Sequence, residues 1–521
     1  MDITAPSPAA TPLRLRRFSF VQKLLLATIL VALADRLFFF QRAGATLGVF
    51  AAALLIALLA ATPAIGRSAS ALAAAGAALL FALVLADDPS LLAAWLFLTA
   101  SALAALMPRT RAFDDGWRWT KRLLLHALLA PIAPVLDWMR LRVARRRRGS
   151  ARFAGILPLL ALPVLGTAVF LALFTVANPL IANAFARVDL AAALGGFSIL
   201  RLAFWTMTAW LVWSFLRPPR ARLAPPRGRK EEMALPGVTA ASIALSLAAF
   251  NAVFALQNGL DIAFLWSGAP LPGDLTLAEY AHRGAYPLIA TALLAGLFVL
   301  VTLRPGSPTA RSPLVRLLVY AWIGQNIVLV ASTMLRTADY IEAYSLTRLR
   351  IAALVWMALV AIGLVLICVR LWREKSGAWL MNANLAFALV ALSACSVVDL
   401  GAVAARWNVR HAREAGGRGV RLDLCYLNRL GPSALLPLIE LESRPIAPRF
   451  RERVSWTRNL IMDRLATTQG DWHGWAFRNA RRSAKAKRLI AEHRLPRFSA
   501  DVRDCDGRYF TPDFDSRRAG M

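Results

Sequence analysis

Apolar residues in this chain form long runs that are separated by short polar or basic connections. A bilayer core of about 30 Å needs roughly 20 apolar residues in an α-helix, which satisfies every backbone polar group within its own segment. Such runs predict eleven transmembrane helices, over residues 20–40, 45–63, 69–86, 90–107, 153–178, 198–216, 238–258, 284–303, 314–335, 351–369 and 379–398. The pattern therefore predicts an all-α fold, a polytopic bundle of about 11 spans.

One further apolar run, residues 123–136, is too short to cross a bilayer easily. It contains Pro131 and Pro134, and basic residues flank it on both sides, so both ends favour the same membrane face. We interpret it as an interfacial or re-entrant helix, with aromatic anchors at headgroup depth in Trp117, Trp119 and Trp138. If the segment crossed instead, the orientation of everything after it would reverse.

Basic residues predict the orientation of the spans. Alternate connections, beginning with the N-terminus, hold 29 Lys and Arg residues, whereas the intervening connections hold 8. Positively charged connections stay in the cytoplasm, which predicts a cytoplasmic N-terminus and, after an odd number of spans, a periplasmic C-terminus. Arg outnumbers Lys by 55 to 6, a composition typical of GC-rich bacteria. The predicted location is therefore a bacterial inner (cytoplasmic) membrane.

The spacing of these runs divides the chain into four parts. A four-span region covers residues 1–107, and a basic cytoplasmic segment with the interfacial helix covers 108–152. A seven-span region follows over 153–400, and a polar C-terminal tail covers 401–521. In the tail, apolar residues recur at helical spacing at Trp456, Leu460, Ile461 and Leu465. The tail is accordingly predicted to be a small helical appendage.

Composition narrows the expected partners. The chain is 58% hydrophobic, and 61 Lys and Arg residues against 30 Asp and Glu give a net charge of +31. Because the charge lies between membrane spans, it indicates orientation and attraction to anionic lipids at the basic loops rather than nucleic-acid binding. A basic run in the tail is expected to contact the outer leaflet or to bind an anionic polymer or an envelope protein partner; it comprises Arg478, Arg481, Arg482, Lys485, Lys487 and Arg488.

Polar residues inside spans are costly unless they are paired, so they mark candidate sites. One cluster ends the seventh span and contains Asn251, Gln257, Asn258 and Asp261. A second forms a stripe along the ninth span at Gln325, Ser332, Arg336 and Asp339. For this stripe, hydrogen bonding between helices competes with a substrate path as the interpretation.

Two predicted loops add further candidates. The loop over 339–350 carries Glu342 and Arg348, and the loop over 268–288 carries Glu279, His282 and Arg283. A Glu, a His and an Arg so close together suit general acid–base catalysis or anion binding. Residues at the mouth of a helix more often serve as interfacial anchors, caps and ion pairs.

Motifs for nucleotide binding, zinc proteases and serine hydrolases are absent from the sequence, so no catalytic residue, cofactor or metal site is predicted. The cysteines show neither a metal-ligand nor a redox spacing. Cys368 and Cys395 lie in apolar runs. Cys425 and Cys505 lie in the tail, where an oxidising compartment would allow a disulfide and a reducing one would leave two thiols.

Several short stretches resemble a bacterial polytopic membrane family catalogued as a domain of unknown function, the types numbered 4173 and 4153. The stretches are NPLI at 178–181, FALQNGLD at 254–261, LAEYAHRGAYPLI at 277–289, EAYSLTRLR at 342–350, ARWNV at 405–409, LDLCYL at 422–427 and, more weakly, DWHGWAF at 471–477. The resemblance covers roughly 150–430 and implies that this range is one unit. It implies no activity, cofactor or catalytic residue.

Three hypotheses follow from the sequence. The first is a non-enzymatic envelope component, a sensor or assembly partner acting through its outer loops and tail. The second is a secondary transporter with a polar path between the seventh and ninth spans. The third is a membrane transferase for lipid-linked substrates that would use Glu279, His282, Arg283, Glu342 and Arg348.

Overall fold

The fold consists of α-helices in a computed structural model of the chain. The structure describes residues 20–109, 115–147, 198–218, 239–267, 312–496 and 503–509, with the single residues 167 and 294. The helices before the tail are α1 (Phe20–Phe38), α2 (Thr46–Ala61), α3 (Ala69–Asp87), α4 (Leu91–Leu106), α5 (Gly116–Leu129), α6 (Ala133–Arg147), α7 (Ile199–Leu216), α8 (Ala240–Asp261), α9 (Pro313–Tyr344), α10 (Arg348–Trp372) and α11 (Gly377–Val397).

The tail is helical as well. Its helices are α12 (Leu400–His411), α13 (Leu424–Leu430), α14 (Leu435–Glu442), α15 (Pro448–Gly470) and α16 (Phe477–Glu492). Short 3₁₀ turns occupy Pro63–Arg67, Met107–Arg109, Arg413–Ala415 and Gly431–Ala434, and a π-helical turn, Ile262–Trp266, follows α8. Within the described ranges, the β-type pairing is a single bridge between Arg503 and Tyr509.

Polar side chains fix where several of these helices begin. A capping side chain accepts a hydrogen bond from the backbone N–H three residues later, which satisfies a donor that the first helical turn leaves unpaired. The capping residues are Thr239 for α8, Thr347 for α10, Ser376 for α11, Asp399 for α12 and Asp423 for α13. Such starts are local features of the sequence.

The described helices agree with the all-α prediction. Seven of them are long and apolar enough to cross a membrane, or eight if the bent pair of α5 and α6 counts as one span. Nine of the eleven predicted spans coincide with helices, although α1 carries three charged residues and α2 has only 16 residues. The other two, 153–178 and 284–303, lie outside the described residues. The chain is thus a multi-pass membrane protein, and the number eleven stays a prediction.

The ninth predicted span and its loop need correction. Residues 339–344, which we expected in a loop, continue α9, and the connection to α10 is only residues 345–347. The helix continues because no Gly or Pro occurs between residues 325 and 344, and it ends at Ser345, whose φ of 70° breaks the helical geometry. At 32 residues, α9 is about 48 Å long by its helical rise, which exceeds a bilayer core of about 30 Å.

The short run 123–136 is also more complex than a single interfacial helix. It falls on α5 and α6, which meet at an angle of 70° close to Pro131, an arrangement that fits a broken span or a re-entrant loop. Trp117 and Trp138 are exposed, as anchors at headgroup depth would be. Trp119 is buried, so its predicted anchoring role is wrong.

The chain divides into two compact units. The first comprises residues 1–85, 94–113 and 121–223. Within it, α1 and α7 run antiparallel, because Phe20 at the start of α1 packs on Trp213 near the end of α7, at 5.4 Å between ring centroids. At their other ends Arg201 of α7 forms an ion pair with Asp35 of α1 at 2.5 Å.

The second unit comprises residues 86–93, 114–120 and 224–521. Its membrane part packs α8, α9, α10 and α11 around buried apolar side chains, among them Leu247, Val319, Ile323 and Leu364. The tail has a hydrophobic core of its own, built from α12 to α16, with Leu424, Leu427, Leu435 and Leu438 fully buried. Ile341 of α9 and Leu346 belong to the same core, which attaches the tail to the end of α9.

Candidate functional site

The polar residues that stand out in the sequence of α8 and α9 meet along one line of contact, which we call the α8–α9 seam. On α8, Asn251, Asn258 and Asp261 follow at spacings of seven and three, so the helical repeat places them on one face. On α9, Gln325, Ser332 and Arg336 do the same at spacings of seven and four. The two faces are turned toward each other.

Amide side chains join the first half of the seam. Asn251 donates from Nδ2 to the Leu318 carbonyl at 3.0 Å and accepts from Gln325 Nε2 at 2.9 Å. Two turns further along, Asn258 donates to the Gln325 carbonyl at 3.1 Å. Each bond links two different helices, so this half of the seam carries the interhelical hydrogen bonding expected of polar residues in a membrane.

A charged pair closes the second half. The Arg336 guanidinium donates to Asp261 Oδ1, and the two side chains are 6% and 0% exposed. Gln257 donates to the same oxygen at 3.0 Å. Beyond the pair, Trp266 of the π-helical turn donates to Ser332 Oγ at 3.0 Å. Burial of both charges inside the helix pair is expensive unless they neutralise each other, and here they do.

Several acceptor atoms of the seam have no hydrogen-bond partner among the described residues. They are Asp261 Oδ2, Asn258 Oδ1, Gln325 Oε1 and the neighbouring Asn326 Oδ1. A buried acceptor without a donor costs free energy, so such atoms are places where a water, a proton or a cation would be stabilised. A π-helical turn directly after Asp261 is also a feature that is frequent at functional sites.

Two residues that adjoin the seam were not predicted as site residues. Trp266 lies past the predicted end of its span at residue 258, and its indole takes part only because α8 continues as a π-turn. Asn326 is 0% exposed and donates to the Trp322 carbonyl at 2.8 Å. Asn326 could have been predicted, because it is a polar residue inside an apolar run. No feature of the sequence indicated Trp266.

Other predicted site residues lie elsewhere. Asp339 and Glu342 occupy the last turns of α9, and neither forms an ion pair with a described residue. Arg348 begins α10 and packs so closely on Gly401 that a Cβ there would lie 2.4 Å from Arg348 Nη2. Glu279, His282 and Arg283 lie outside the described residues. Because three of its five residues lie outside the described residues, the transferase hypothesis stays untested.

The basic run of the tail is partly used within the chain. Arg478 on α16 donates to Asp87 at 2.9 Å and to Asp88 at 2.8 Å. Arg482 donates to Asp399, which also accepts from Ser433 at 3.0 Å. Arg478 and Arg482 thus pair with carboxylates of the chain itself, and contact of the basic run with lipid or a partner stays a prediction. Lys485, Lys487 and Arg488 remain exposed.

For the tail cysteines the sequence left two alternatives open, a disulfide or two free thiols, and the structure shows the disulfide. Cys425 of α13 and Cys505 form a disulfide that joins residues 80 apart. Cys368 and Cys395 are free and lie on α10 and α11. In the described part of the chain, no three His, Cys, Asp or Glu side chains group as metal ligands would.

Comparison with known proteins gives one finding. A family model described as a domain of unknown function, DUF4153, matches residues 71–441, well over half of the chain. The match begins within α3 and ends in α14, so it includes membrane helices and the first part of the tail. It confirms the resemblance to a family of unknown function and extends it before residue 150. No curated protein and no solved structure matches.

Proposed function

This chain belongs to the DUF4153 family, and we propose that it is a non-enzymatic component of a bacterial cell envelope, a sensor or assembly partner in the inner membrane. Its tail is the working part, a folded domain on the periplasmic face. The observation that carries the proposal is the disulfide between Cys425 and Cys505. Such bonds persist in oxidising compartments such as the periplasm and are rare in the cytosol.

The attachment of the tail supports the same orientation. Asn408 of α12 exchanges two hydrogen bonds with Leu346 in the α9–α10 connection, at 2.7 and 3.0 Å. Arg478 bonds Asp87 and Asp88 between α3 and α4, and its Nη2 donates to the Val397 carbonyl at the end of α11 at 2.8 Å. Each of these attachment points is at a helix end that the distribution of basic residues predicts to lie outside.

Contacts at the opposite helix ends agree with this arrangement. The backbone N–H of Gly116 donates to Asn382 Oδ1 near the start of α11 at 2.6 Å. Arg316 near the start of α9 pairs with Glu374 after α10 at 3.2 Å. Both contacts lie at helix ends predicted to be cytoplasmic. The tail and these contacts thus use different ends of the α9–α11 helices.

The tail also offers a surface for a partner. Lys485, Lys487 and Arg488 are exposed on α16, and Trp472 just before it is 54% exposed. Tryptophan and arginine are enriched in protein interfaces, and the lysines add positive charge at the rim. An anionic surface of another envelope component is the partner that this chemistry would recognise.

The first experiment places the tail. Alkaline phosphatase, which is active only in an oxidising compartment, is fused after residue 521, and a fluorescent protein that matures only in the cytoplasm is fused there in parallel. The matched control carries the same reporters after residue 218. We expect phosphatase activity at the C-terminus and fluorescence at 218. Fluorescence at the C-terminus would refute the periplasmic tail and the proposal with it.

The second experiment looks for the partner. The full chain is cross-linked in cells and purified in mild detergent, beside a variant with Lys485→Glu, Lys487→Glu and Arg488→Glu. A control variant, Arg373→Glu with Lys375→Glu, changes exposed charges in the turn between α10 and α11. We expect a stable partner that only the tail variant loses. Recovery of the chain alone, or equal recovery from all three, would contradict the proposal.

A secondary transporter is the second candidate, and one observation favours it. The seam holds a buried Asp261–Arg336 pair whose second carboxylate oxygen, Asp261 Oδ2, has no hydrogen-bond partner among the described residues. Ionisable groups within membrane helices frequently mark ion and proton pathways. Asp261 would then exchange a proton or cation as Arg336 moves.

The transporter hypothesis is tested in proteoliposomes. A proton gradient is imposed on vesicles containing the full chain or the Asp261→Asn variant, and solute-dependent proton movement is recorded with a pH-sensitive dye. Flux that the Asn variant abolishes would favour transport. Absence of flux across a broad solute panel, with the seam variant correctly folded, would leave the seam as a structural contact between helices.

A further inference from the structure

A cavity of about 200 Å³ in the first unit is lined, among the described residues, by four cationic side chains and one carboxylate. The cations come from four elements: Lys23 from α1, Arg109 after α4, Arg140 from α6 and Arg217 after α7. The carboxylate is Asp137 of α6, which is 6% exposed. In the predicted orientation these helix ends are cytoplasmic, so the cavity lies at headgroup depth.

Backbone carbonyls hold two of the cations in place. Lys23 Nζ donates to the Leu216 carbonyl at 2.8 Å, and Arg109 Nη1 donates to the Pro218 carbonyl at 2.7 Å. These carbonyls are at the C-terminal end of α7, where a helix attracts positive charge. Both cations are therefore positioned before any ligand arrives.

Asp137 compensates only part of the positive charge that lines the cavity. Arg140 lies 3.3 Å and Arg217 lies 3.1 Å from its carboxylate oxygens, and Trp213 Nε1 donates to it at 3.2 Å. One negative charge is thus shared between two guanidinium groups, while Lys23 and Arg109 contribute further positive charge. The cavity is consequently suited to an anion such as a phosphate group.

An apolar groove of about 460 Å³ adjoins this cavity and lies between the helices α1, α6 and α7. Four tryptophans line it, with aliphatic residues of α1; they are Trp138, Trp205, Trp210 and Trp213. Trp213 links the two cavities, since its ring faces the groove and its N–H binds Asp137. A tryptophan at this position is typical of a membrane interface, where one side is apolar and the other wet.

We propose that these two cavities form one binding site for an anionic glycerophospholipid. The phosphate of the headgroup binds among Lys23, Arg109, Arg140 and Arg217, and an acyl chain lies in the tryptophan-lined groove. Charge complementarity selects an anionic over a zwitterionic lipid, since basic pockets between membrane helices on the cytoplasmic side bind such headgroups. The adjoining groove distinguishes a lipid from free phosphate. The site does not depend on the role of the tail.

Native mass spectrometry of the full chain tests the proposal. The protein is reconstituted into vesicles of phosphatidylcholine with phosphatidylglycerol, extracted gently, and scored for retained lipid. We expect one phosphatidylglycerol to be retained in preference to phosphatidylcholine. In the Lys23→Gln/Arg140→Gln variant, retention should weaken about 30-fold, since each cation near the surface is worth about 1 kcal/mol. Equal retention of both lipids by the unaltered chain would overturn the proposal.

Matched variants distinguish binding in this site from a general effect of charge and from binding of phosphate alone. Arg67→Gln/Arg373→Gln removes the same charge from exposed positions outside the cavity, and retention should stay unchanged. Ala209→Phe fills the groove and leaves the cations, so it should abolish lipid retention while inorganic phosphate still binds. Loss of lipid in the Arg67 control, or lipid retention unaffected by Ala209→Phe, would refute the site. Elution volume and thermal midpoint confirm that each variant is folded.

Discussion

Among the described residues, two buried ion pairs of the same chemistry lie in two different surroundings. Asp261 and Arg336 join α8 to α9 in the membrane part and are 0% and 6% exposed. Glu442 and Arg458 join α14 to α15 in the tail and are 0% and 2% exposed, with Arg458 Nε 2.7 Å from Glu442 Oε2. The comparison shows that the contribution of such a pair to stability depends on whether the unfolded chain lies in water or in lipid.

In the tail, the alternative to the pair is water. The pair is embedded in further bonds, because Ser455 donates to Glu442 and Arg458 donates to the Pro496 carbonyl at 2.7 Å. Losing one partner leaves a charge that water would have solvated in the unfolded chain. In the membrane, α8 and α9 would still lie in lipid after they separate, where neither charge is well solvated. The Asp261–Arg336 pair therefore contributes less to the free energy that holds the two helices together.

The largest effect is expected from Arg458→Met. The substitution leaves the Glu442 carboxylate without its partner in the core of the tail, and removing one partner of a buried pair lowers the free energy of unfolding by about 3–5 kcal/mol. For a domain of this size each kcal/mol lowers the thermal midpoint by about 4–8 °C. Protease resistance of the tail in the full chain, measured against temperature, reports the change. A midpoint within a few degrees of the unaltered chain would show that the pair contributes little.

The same variant should acquire a characteristic pH dependence. Burial raises the pKa of Glu442 above its ordinary value of 4.5, while the hydrogen bond from Ser455 and the charge of Arg458 lower it. Without Arg458 the folded-state pKa rises further. A carboxyl with a raised pKa stabilises the fold below its unfolded pKa, and this stability is lost as the pH rises through the folded value. The deficit of Arg458→Met should grow as the pH rises above about 4.5, the ordinary pKa of this carboxyl, and a constant deficit would contradict this.

Loss of the tail disulfide is the next largest effect. Replacing Cys425 and Cys505 by Ala removes a cross-link between residues 80 apart, and such a loss typically costs about 2–4 kcal/mol. The double variant should be cleaved at lower temperature, and reducing agent should bring the unaltered chain to the same midpoint. Cys368→Ala is the control, because that thiol is free. Insensitivity to reductant would mean that the bond does not stabilise the tail.

A smaller effect is expected from the membrane pair. Asp261→Asn with Arg336→Gln removes both charges but keeps polar side chains, and polar contacts between membrane helices contribute about 1–2 kcal/mol. The thermal midpoint of the full chain in detergent should fall only slightly, while protease resistance of the tail stays the same. A loss as large as that of Arg458→Met would remove the contrast between the two surroundings.

The smallest effect should come from Arg444→Met. Arg444 pairs with Glu440 on the tail surface at 2.7 Å, but both side chains are partly exposed, 34% and 40%. Exposed pairs contribute about 0–1 kcal/mol. In the same protease assay, this variant therefore gives the effect of losing an exposed pair, with which the effect of losing the buried pair is compared. A midpoint shift comparable to that of Arg458→Met would indicate that burial is not what separates the two.

The sequence by itself determined most of the described membrane helices, but not the continuation of α9 to Tyr344 or the break between α5 and α6. An apolar run of about 20 residues has one stable form in lipid, because its backbone must bond within the segment. Caps such as Thr239 and Asp399 act over three residues, so they too are readable locally. The polar faces of α8 and α9 followed from the helical repeat in the same way.

Only the tertiary structure decided which residues become partners. Asp261 and Arg336 are 75 residues apart, and the two tail cysteines are 80 apart. Arg478 resembles its basic neighbours in the sequence, yet it is neutralised by Asp87 at the end of α3. Such pairings depend on how helices that are far apart in the sequence pack together, and helical spacing carries no information about that. For this reason the sequence predicted the elements, and packing selected the pairs.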